Sequence, residues 1–258
     1  MGSSSEETKL IIPVNKLPSG FKPYPFKSFK MKAMSLQNAI DLGSHPTLTD
    51  LTNFIQGLVG DEIDASLLVP IDVKYLIAML AFHAFPKQSW TLNLVCPHCQ
   101  FEHKRSVTMK DFPPVPSLSE KDPYPLTIDD GKHVWEIGYA SVASMDALTD
   151  KDKITKDTDT GEFTYTGEYL DLVEPYILAV DGSKDGIRQK LLDIEDFTIL
   201  SLMVEAIKKY FTSDTYSEME CPQCKKKYKV PMSAVEVTQY TPFLDKTTVG
   251  KYKTNFRL

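Results

Sequence analysis

Two Cys-Pro-x-Cys motifs contain all four cysteines of this 258-residue chain, CPHC at residues 96–99 and CPQC at residues 221–224. Two thiolates separated by two residues can bind one metal ion from a single turn, and structural zinc prefers four tetrahedral ligands. One motif supplies only half of such a set, so the two motifs must meet in the fold to complete it. We therefore expect one structural zinc ion (Zn2+) per chain. The predicted metal ligands are Cys96, Cys99, Cys221 and Cys224.

Four cysteines are also compatible with two disulfides, a redox dithiol or a catalytic zinc site. Disulfides are typical of secreted proteins, whereas the first nine residues, MGSSSEETK, lack the apolar stretch of a signal peptide. A redox dithiol needs only one CxxC motif, usually followed by a helix, but β-like sequence follows both motifs here. A catalytic zinc ion keeps a ligand position open for water, and four thiolates leave none. The pattern favours a closed structural site, and His98, at the variable position of the first turn, is expected to face solvent.

Each motif is preceded by a predicted helix and a predicted strand and followed by a second strand. The first helix begins at Asp72, 24 residues before Cys96, and the second begins at Asp196, 25 residues before Cys221. Asp72 is expected to cap the first helix, whose inner face is expected to include His83 as a core histidine. The matched spacing predicts a pseudo-symmetric core in which each half contributes one β-hairpin zinc knuckle. The expected fold class is α+β, a helical pseudo-repeat core with a split zinc ribbon.

The same pattern divides the chain into four parts. Residues 1–9 are predicted to be a disordered N-terminus, and residues 10–110 form the N-terminal half with the first knuckle. Residues 111–195 are interpreted as an insertion or linker region, because 111–131 contain five prolines. Within this region, 133–139 are predicted as a strand and 168–179 as a helix. Residues 196–258 form the C-terminal half, with the second knuckle and an extended tail.

Composition limits the classes of partner. The formal net charge is −6, which gives no general attraction to nucleic acid, and no apolar run reaches the 18 or so residues of a membrane span. A local basic set on the knuckles leaves a nucleic-acid-binding zinc ribbon open as an alternative, with Tyr228 available for base stacking. The net charge favours a solvated hairpin face instead. The basic set comprises His103, Lys104, Arg105, Lys225, Lys226, Lys227 and Lys229.

The sequence carries none of the common catalytic motifs. It has no Gly-rich phosphate loop, no G-x-S-x-G and no HExxH. We therefore expect no catalytic residues and a protein that is not an enzyme. A second alternative is an enzyme with a structural zinc ion, whose active site would lie within the insertion between the halves.

Four segments follow one another in the first part of the chain: LPSGFKPYPF, IDASLL, DVKYLIAML and SWTLNLVCPHCQFEHKRSVTMKDF. They contain a Pro-Ser-Gly start, a basic aromatic "PF" segment, an Asp-x-x-Tyr-Leu helix and a strand entering a Cys-rich turn. In this order they resemble the baseplate hub assembly family of contractile-tailed, T-even-type bacteriophages. The resemblance covers residues 10–110 well and the CPQC half loosely. The matching positions are Pro18, Ser19, Gly20, Pro25, Phe26, Asp72, Tyr75, Leu76 and Cys96.

The resemblance implies a non-enzymatic tail protein of the virion. Such a protein is a structural component of the baseplate hub or an assembly factor for it, found in the tail baseplate and, during assembly, in the host cytoplasm. Its implied partners are other hub, tail tube or tape-measure proteins, present in several copies in one assembly. Neither a membrane span nor a nucleic-acid partner is expected.

Overall fold

Helices and small antiparallel sheets alternate along the chain, which has an α+β fold. The computed structural model describes residues 9–35, 46–84, 90–114, 118–149, 166–211 and 216–231. The predicted disordered segment 1–9 lies outside these residues except for Lys9, which begins the first strand. The strands are β1 (Lys9–Pro13), β2 (Ser28–Lys32), β3 (Trp90–Val95), β4 (Glu102–Val107), β5 (Leu126–Asp129), β6 (Val134–Ile137), β7 (Ile177–Val180), β8 (Tyr216–Glu220) and β9 (Lys227–Pro231). The helices are α1 (Leu48–Val59), α2 (Pro70–Ala84), α3 (Val142–Thr149), α4 (Thr166–Val173), α5 (Ile187–Leu192) and α6 (Phe197–Tyr210).

Helix α1 shows how local sequence determines an element. Thr47 and Asp50 form a capping box that satisfies backbone N–H groups at the start of the helix. Leu51 and Ile55 lie on its buried face, and Gly60 ends it with a positive φ of 61°, a conformation that glycine adopts without strain. The buried face packs against α2 and against strand β2.

Helix α2 is buried on most of its circumference. Its fully or almost fully buried residues include Val73, Leu76, Ile77 and Leu80. A helix that is apolar on all sides is typical of a core position. The prediction that His83 is a core histidine is wrong, because this side chain is exposed at the last turn of the helix. No helix in the described ranges is long and apolar enough to cross a bilayer.

Asp72 does not cap α2, contrary to the sequence prediction. It lies inside the first turn, fully buried, and accepts a hydrogen bond from the backbone N–H of Ser19 at 2.9 Å. The hydroxyl groups of Ser19 and Tyr24 also donate to its carboxylate, and the Tyr24 hydroxyl accepts from the Val69 N–H at 3.0 Å. Because buried polar groups must be paired, this network fastens the N-terminal segment to α2.

The pKa of Asp72 gives a testable pH dependence. Burial raises this pKa from 3.8 to about 6, although the hydrogen bonds from Ser19 and Tyr24 act in the opposite direction. The folded state then holds the proton more tightly than the unfolded state, so this contribution to stability is present below pH 4 and is lost as the pH rises through 6. Relative to Asp72→Asn, the wild-type free energy of unfolding should fall by about 2 kcal/mol between pH 4 and pH 7, since the shift from 3.8 to about 6 is worth about 3 kcal/mol only well below pH 4.

Urea denaturation of both proteins across this pH range measures the effect. The Asn variant is the matched control, because acid weakens metal binding by the cysteines equally in the two proteins. A difference between the proteins that does not change with pH would contradict the assignment.

The proline-rich region between the two knuckles contains a packed sheet. Strands β5, β6 and β7 pair antiparallel in that order. The segment 111–131, interpreted as a linker or an extended crossing segment, contains strand β5. The predicted strand over 133–139 is confirmed as β6, and the predicted helix over 168–179 ends at Val173. A short 3-10 turn containing Pro175 follows, and Ile177–Val180 then pairs with β6. Proline cannot continue a helix, and the apolar residues after it gain more by joining the sheet.

Two further hairpins complete the described fold. β3 pairs with β4, with Leu94 opposite His103, and β8 pairs with β9, with Met219 opposite Tyr228. Because side chains alternate across a strand, each hairpin has one face on the core and one face toward solvent. Leu94, Met219 and Tyr228 lie on the core face. Each hairpin turn carries one of the Cys-Pro-x-Cys motifs.

Candidate metal centre

The first cysteine turn joins β3 to β4. The backbone N–H of Cys96 donates to the carbonyl of Phe101 at 3.0 Å, and the N–H of Gln100 donates to the carbonyl of Cys96 at 2.9 Å. Gln100 has a φ of 59°, in the left-handed region that residues other than glycine seldom adopt. The tight turn therefore places Cys96 and Cys99 on one side of the hairpin tip.

The second cysteine turn joins β8 to β9 with the same hydrogen-bond pattern. The N–H of Cys221 donates to the carbonyl of Lys226 at 3.0 Å, and the N–H of Lys225 donates to the carbonyl of Cys221 at 3.0 Å. Lys225 has a φ of 61°. The two turns are thus alike in sequence spacing, hydrogen bonding and backbone conformation.

The structure brings the four predicted ligands together. The Sγ atoms of Cys96 and Cys224 are 3.7 Å apart, those of Cys99 and Cys221 are also 3.7 Å apart, and all four lie within 4.8 Å of one another. A disulfide requires a sulfur separation of about 2.05 Å, so the cysteines are free thiols. A tetrahedron with Zn–S bonds of about 2.3 Å has sulfur atoms about 3.8 Å apart. Four cysteine sulfurs at this spacing can hold a metal ion.

Burial differs between the two cysteines of each motif. Cys96 and Cys221, the first of each pair, have no exposed surface. Cys99 is exposed and Cys224 is half-buried. The cluster therefore has an inner side against the hydrophobic core and an outer side at the surface, through which an ion can enter.

The pKa values of two neighbouring thiols, Cys221 and Cys99, are shifted in opposite directions. Burial opposes ionisation of Cys221, but backbone N–H groups of Cys224 and Gln223 donate to its sulfur and lower its pKa to about 6. The N–H of Phe101 also lowers the pKa of Cys99, but desolvation of the Cys99 sulfur within the cluster and the three adjacent sulfurs outweigh this hydrogen bond. They raise the pKa of Cys99 to about 12. Four close thiolates repel one another. A bound cation removes that repulsion, and the ligands then release their protons.

Neither nearby histidine belongs to the sulfur cluster. His98 is exposed, as predicted, and its Nε2 lies 3.2 Å from the backbone carbonyl oxygen of Lys227 on the other hairpin. The Nε2 of His103 lies 3.0 Å from the hydroxyl of Tyr228, and the two rings meet edge to face. Both contacts join the hairpins beside the sulfurs, so these histidines support the cluster rather than extend it.

Two of the basic residues of the second knuckle lie close to acidic neighbours. Lys227 forms an ion pair with Glu218 at 2.7 Å, and Lys229 lies opposite Glu218 on the paired strand. Glu220 lies opposite Lys227 in the same way. Cross-strand pairs of opposite charge partly neutralise each other, so the outer face of the second hairpin is of mixed sign.

The sequence analysis did not predict the Ser19–Tyr24–Asp72 network, although it singled out Ser19 and Asp72 separately. Pro18-Ser19-Gly20 was recognised only as part of a resemblance, and Asp72 was interpreted as a helix cap. The signal that identifies such a network is a carboxylate placed among apolar residues of a helix, because a buried charge needs partners. The Tyr139 hydroxyl is another buried polar group, and it has no hydrogen-bond partner among the described residues.

Comparison with known proteins leaves the family open. No protein-family model, no curated protein and no solved structure matches this chain. The cysteine cluster, the buried network and the order of the sequence motifs are therefore the observations from which a function can be proposed.

Proposed function

We propose that this chain is a non-enzymatic tail protein of a contractile-tailed phage, a component or assembly factor of the baseplate hub, in which a structural zinc ion joins two related halves. The observation that carries the proposal is the meeting of two cysteine pairs from hairpins 125 residues apart in sequence. A site that closes over so long a separation fixes the relative position of distant segments. That is what a scaffold protein requires.

Zinc is the metal that best fits the donor set. Four thiolates in a tetrahedral arrangement suit zinc or iron. A closed site with four sulfur ligands and no open position is typical of structural zinc. The backbone N–H groups that donate to Cys99 and Cys221 stabilise bound thiolates, as outer hydrogen bonds do around metal ligands in general.

The two hairpins are proposed to form a split zinc ribbon with pseudo-twofold symmetry. An offset of 125 residues relates Cys96 to Cys221 and Cys99 to Cys224. Replacing each cysteine by its equivalent turns the Cys96–Cys224 contact into the Cys221–Cys99 contact. Such reciprocal contacts are the property of an isologous interface. His103 and Tyr228, which touch each other, are also equivalent under it.

The helices support the same relation. Shifting α2 (Pro70–Ala84) by 125 residues places it on residues 195–209, and α6 is Phe197–Tyr210. Strands β3 and β4 shift onto β8 and β9 within one residue. The repeated unit is helix, strand, cysteine turn, strand, with α1 and the sheet of β5 to β7 as additions.

The proposed hub role rests on the resemblance and on where the matching residues lie. Ser19 and Asp72, which are far apart in sequence, form one buried network. Two matching positions of the resemblance thus contribute to holding the fold together. This supports a family likeness in the residues that hold the fold together. The surfaces that contact other tail proteins are proposed to lie outside this buried network.

The proposed role can be tested genetically. Deleting the gene from the phage that encodes this chain should leave filled heads without complete tails in electron micrographs of infected cells. The wild-type gene supplied in trans should restore tails, whereas the Cys221→Ser gene should not. Mass spectrometry of purified particles separates a permanent hub component from an assembly factor. Normal tails in the deletion would contradict the proposal.

A nucleic-acid assay checks the alternative function. Because Glu218 and Glu220 oppose the lysines of the second hairpin, we expect no binding of single- or double-stranded DNA or RNA tighter than about 100 µM in low salt. Fluorescence anisotropy with labelled 20-residue oligonucleotides is the measurement. Salt-sensitive binding in the micromolar range that is lost on Lys225→Glu would favour the zinc-ribbon nucleic-acid binder instead.

A further inference from the structure

An apolar groove runs along helix α6. It has a volume of about 820 Å³ and is lined by residues of α4, α5 and α6. Phe197 at its edge is 76% exposed and Leu192 is 56% exposed. Leu200 and Val204 lie deeper along the same helix. Large exposed apolar side chains grouped around one groove are typical of a place where another segment or protein binds.

Helix α2 shows what covers the equivalent helix in the other half. The chain that follows β4 makes a 3-10 turn, Met109–Asp111, which packs against α2. Thr108 and Asp111 stabilise this turn, since the Thr108 N–H donates to the Asp111 carboxylate at 2.7 Å. Phe112 and Leu118 then enter the core, with 1% and 3% of their surface exposed.

The chain that follows β9 carries the same sequence signals at the same offset. Thr108 and Asp111 correspond to Ser233 and Glu236, which again form a Ser/Thr-x-x-Asp/Glu pair. Phe112 corresponds to Val237, and Leu118 corresponds to Phe243. These residues belong to segment 232–258, which lies outside the described residues.

The C-terminal segment starts within a short length of chain from the end of α6. Strand β9 ends at Pro231, which pairs with Tyr216 at the start of β8. Tyr216 follows the end of α6 by six residues. The 27 residues after Pro231 can extend up to about 90 Å, several times the length of a 14-residue helix, at about 21 Å. Length and starting point therefore both permit the segment to reach every part of the groove.

We propose that the groove on α6 is the binding site for the C-terminal segment of the same chain, with Val237 and Phe243 as its apolar anchors. The segment takes against α6 the place that the turn Met109–Asp111 takes against α2. The groove is thereby an internal docking site, and its residues are closed to other proteins while the segment is bound.

Hydrogen exchange of the full-length, zinc-loaded protein tests the proposal. In the double variant Val237→Asp/Phe243→Asp, amides of residues 197–208 should exchange at least tenfold faster than in the wild type, because α6 loses its cover. The matched control is Thr238→Asp, which adds a charge to the same segment at a polar position and should leave the exchange unchanged. Equal exchange in all three proteins would overturn the proposal.

A variant on the groove side keeps the test valid if the double variant folds poorly. Phe197→Ser removes an exposed ring from the groove edge, and it should speed tryptic cleavage after Lys246 and Lys251 by about tenfold relative to wild type. Leu172→Ser, which changes an exposed leucine outside the groove lining, is the control. Unchanged cleavage would overturn the proposal. Light scattering gives a further outcome. If the wild type is a dimer and the Val237→Asp/Phe243→Asp variant is a monomer, the segment is exchanged between two copies and the proposal is overturned.

The proposal is independent of the hub role. Zinc content and tail assembly measure the proposed function, whereas exchange in α6 and cleavage of the C-terminal segment measure this docking. Either result can fail without affecting the other.

Discussion

Replacement of Cys221 by serine should abolish stoichiometric zinc binding and unfold or loosen the region that joins the two hairpins. Cys221 has no exposed surface, so no solvent ligand can take its place without rearrangement. Structural zinc in small domains contributes about 10 to 16 kcal/mol of apparent binding free energy, which is comparable with the total stability of a typical domain, about 5 to 15 kcal/mol. The loss should therefore be the largest effect of any single substitution described for this chain.

Elemental analysis and thermal unfolding measure this effect. Wild-type protein should contain about one zinc ion per chain, and a chelator should lower its midpoint of unfolding in parallel with the loss of metal. Gln223→Ser is the matched control, because it changes an exposed side chain in the same turn as Cys221 and keeps the backbone N–H, so it should leave the zinc content at one. Full zinc occupancy in Cys221→Ser, or metal-free wild-type protein with its thiols oxidised in pairs, would refute the site.

Replacement of Trp135 by alanine should lower the free energy of unfolding by about 4 kcal/mol. Trp135 lies in the central strand of the β5–β6–β7 sheet with no exposed surface. Its indole N–H donates to the Asp130 carboxylate at 2.7 Å. The substitution removes a large apolar side chain, leaves a cavity and deprives a carboxylate of a partner. If residues 111–195 were a flexible linker, the same change would cost almost nothing.

Urea denaturation of zinc-saturated protein, followed by circular dichroism, provides the measurement. Val134→Ala is the matched control on the same strand, because Val134 is 42% exposed and its truncation should cost less than about 1 kcal/mol. A Trp135→Ala protein within 1 kcal/mol of wild type would show that the sheet does not contribute to the cooperative fold. Zinc content should remain at one in both variants, since neither side chain touches the cysteine turns.

The cysteine pairs and the long helices could be predicted because their signals are local. A Cys-Pro-x-Cys turn between two strands needs only six to eight consecutive residues to define it, and α6 begins where Asp196 caps it, as its sequence indicates. The same local rules failed at Asp72. An aspartate before an apolar helical stripe has the pattern of a cap, yet here it lies within the first turn of the helix. Ser19 and Tyr24 supply the hydrogen bonds that make its burial possible.

The region 111–195 shows the same limit, since the strand over 133–139 was predicted but β5 and β7 were not. Its prolines and short apolar runs resemble a linker, and the strands β5 and β7 have only four residues each. A four-residue strand has no stability alone and forms because partners in the sheet are present. Periodicity cannot reveal a pairing between segments separated by 40 or more residues, such as β6 with β7.

By itself, the sequence determined which residues have the chemistry of metal ligands and where two similar units of helix, strand and turn lie, because both depend on spacing along the chain. Only the tertiary structure decided that the four sulfurs lie within 4.8 Å of one another. That proximity depends on two hairpins that are offset by 125 residues in sequence and pack against a shared core. Contacts between distant segments follow from the burial of whole surfaces, and no local pattern contains that information.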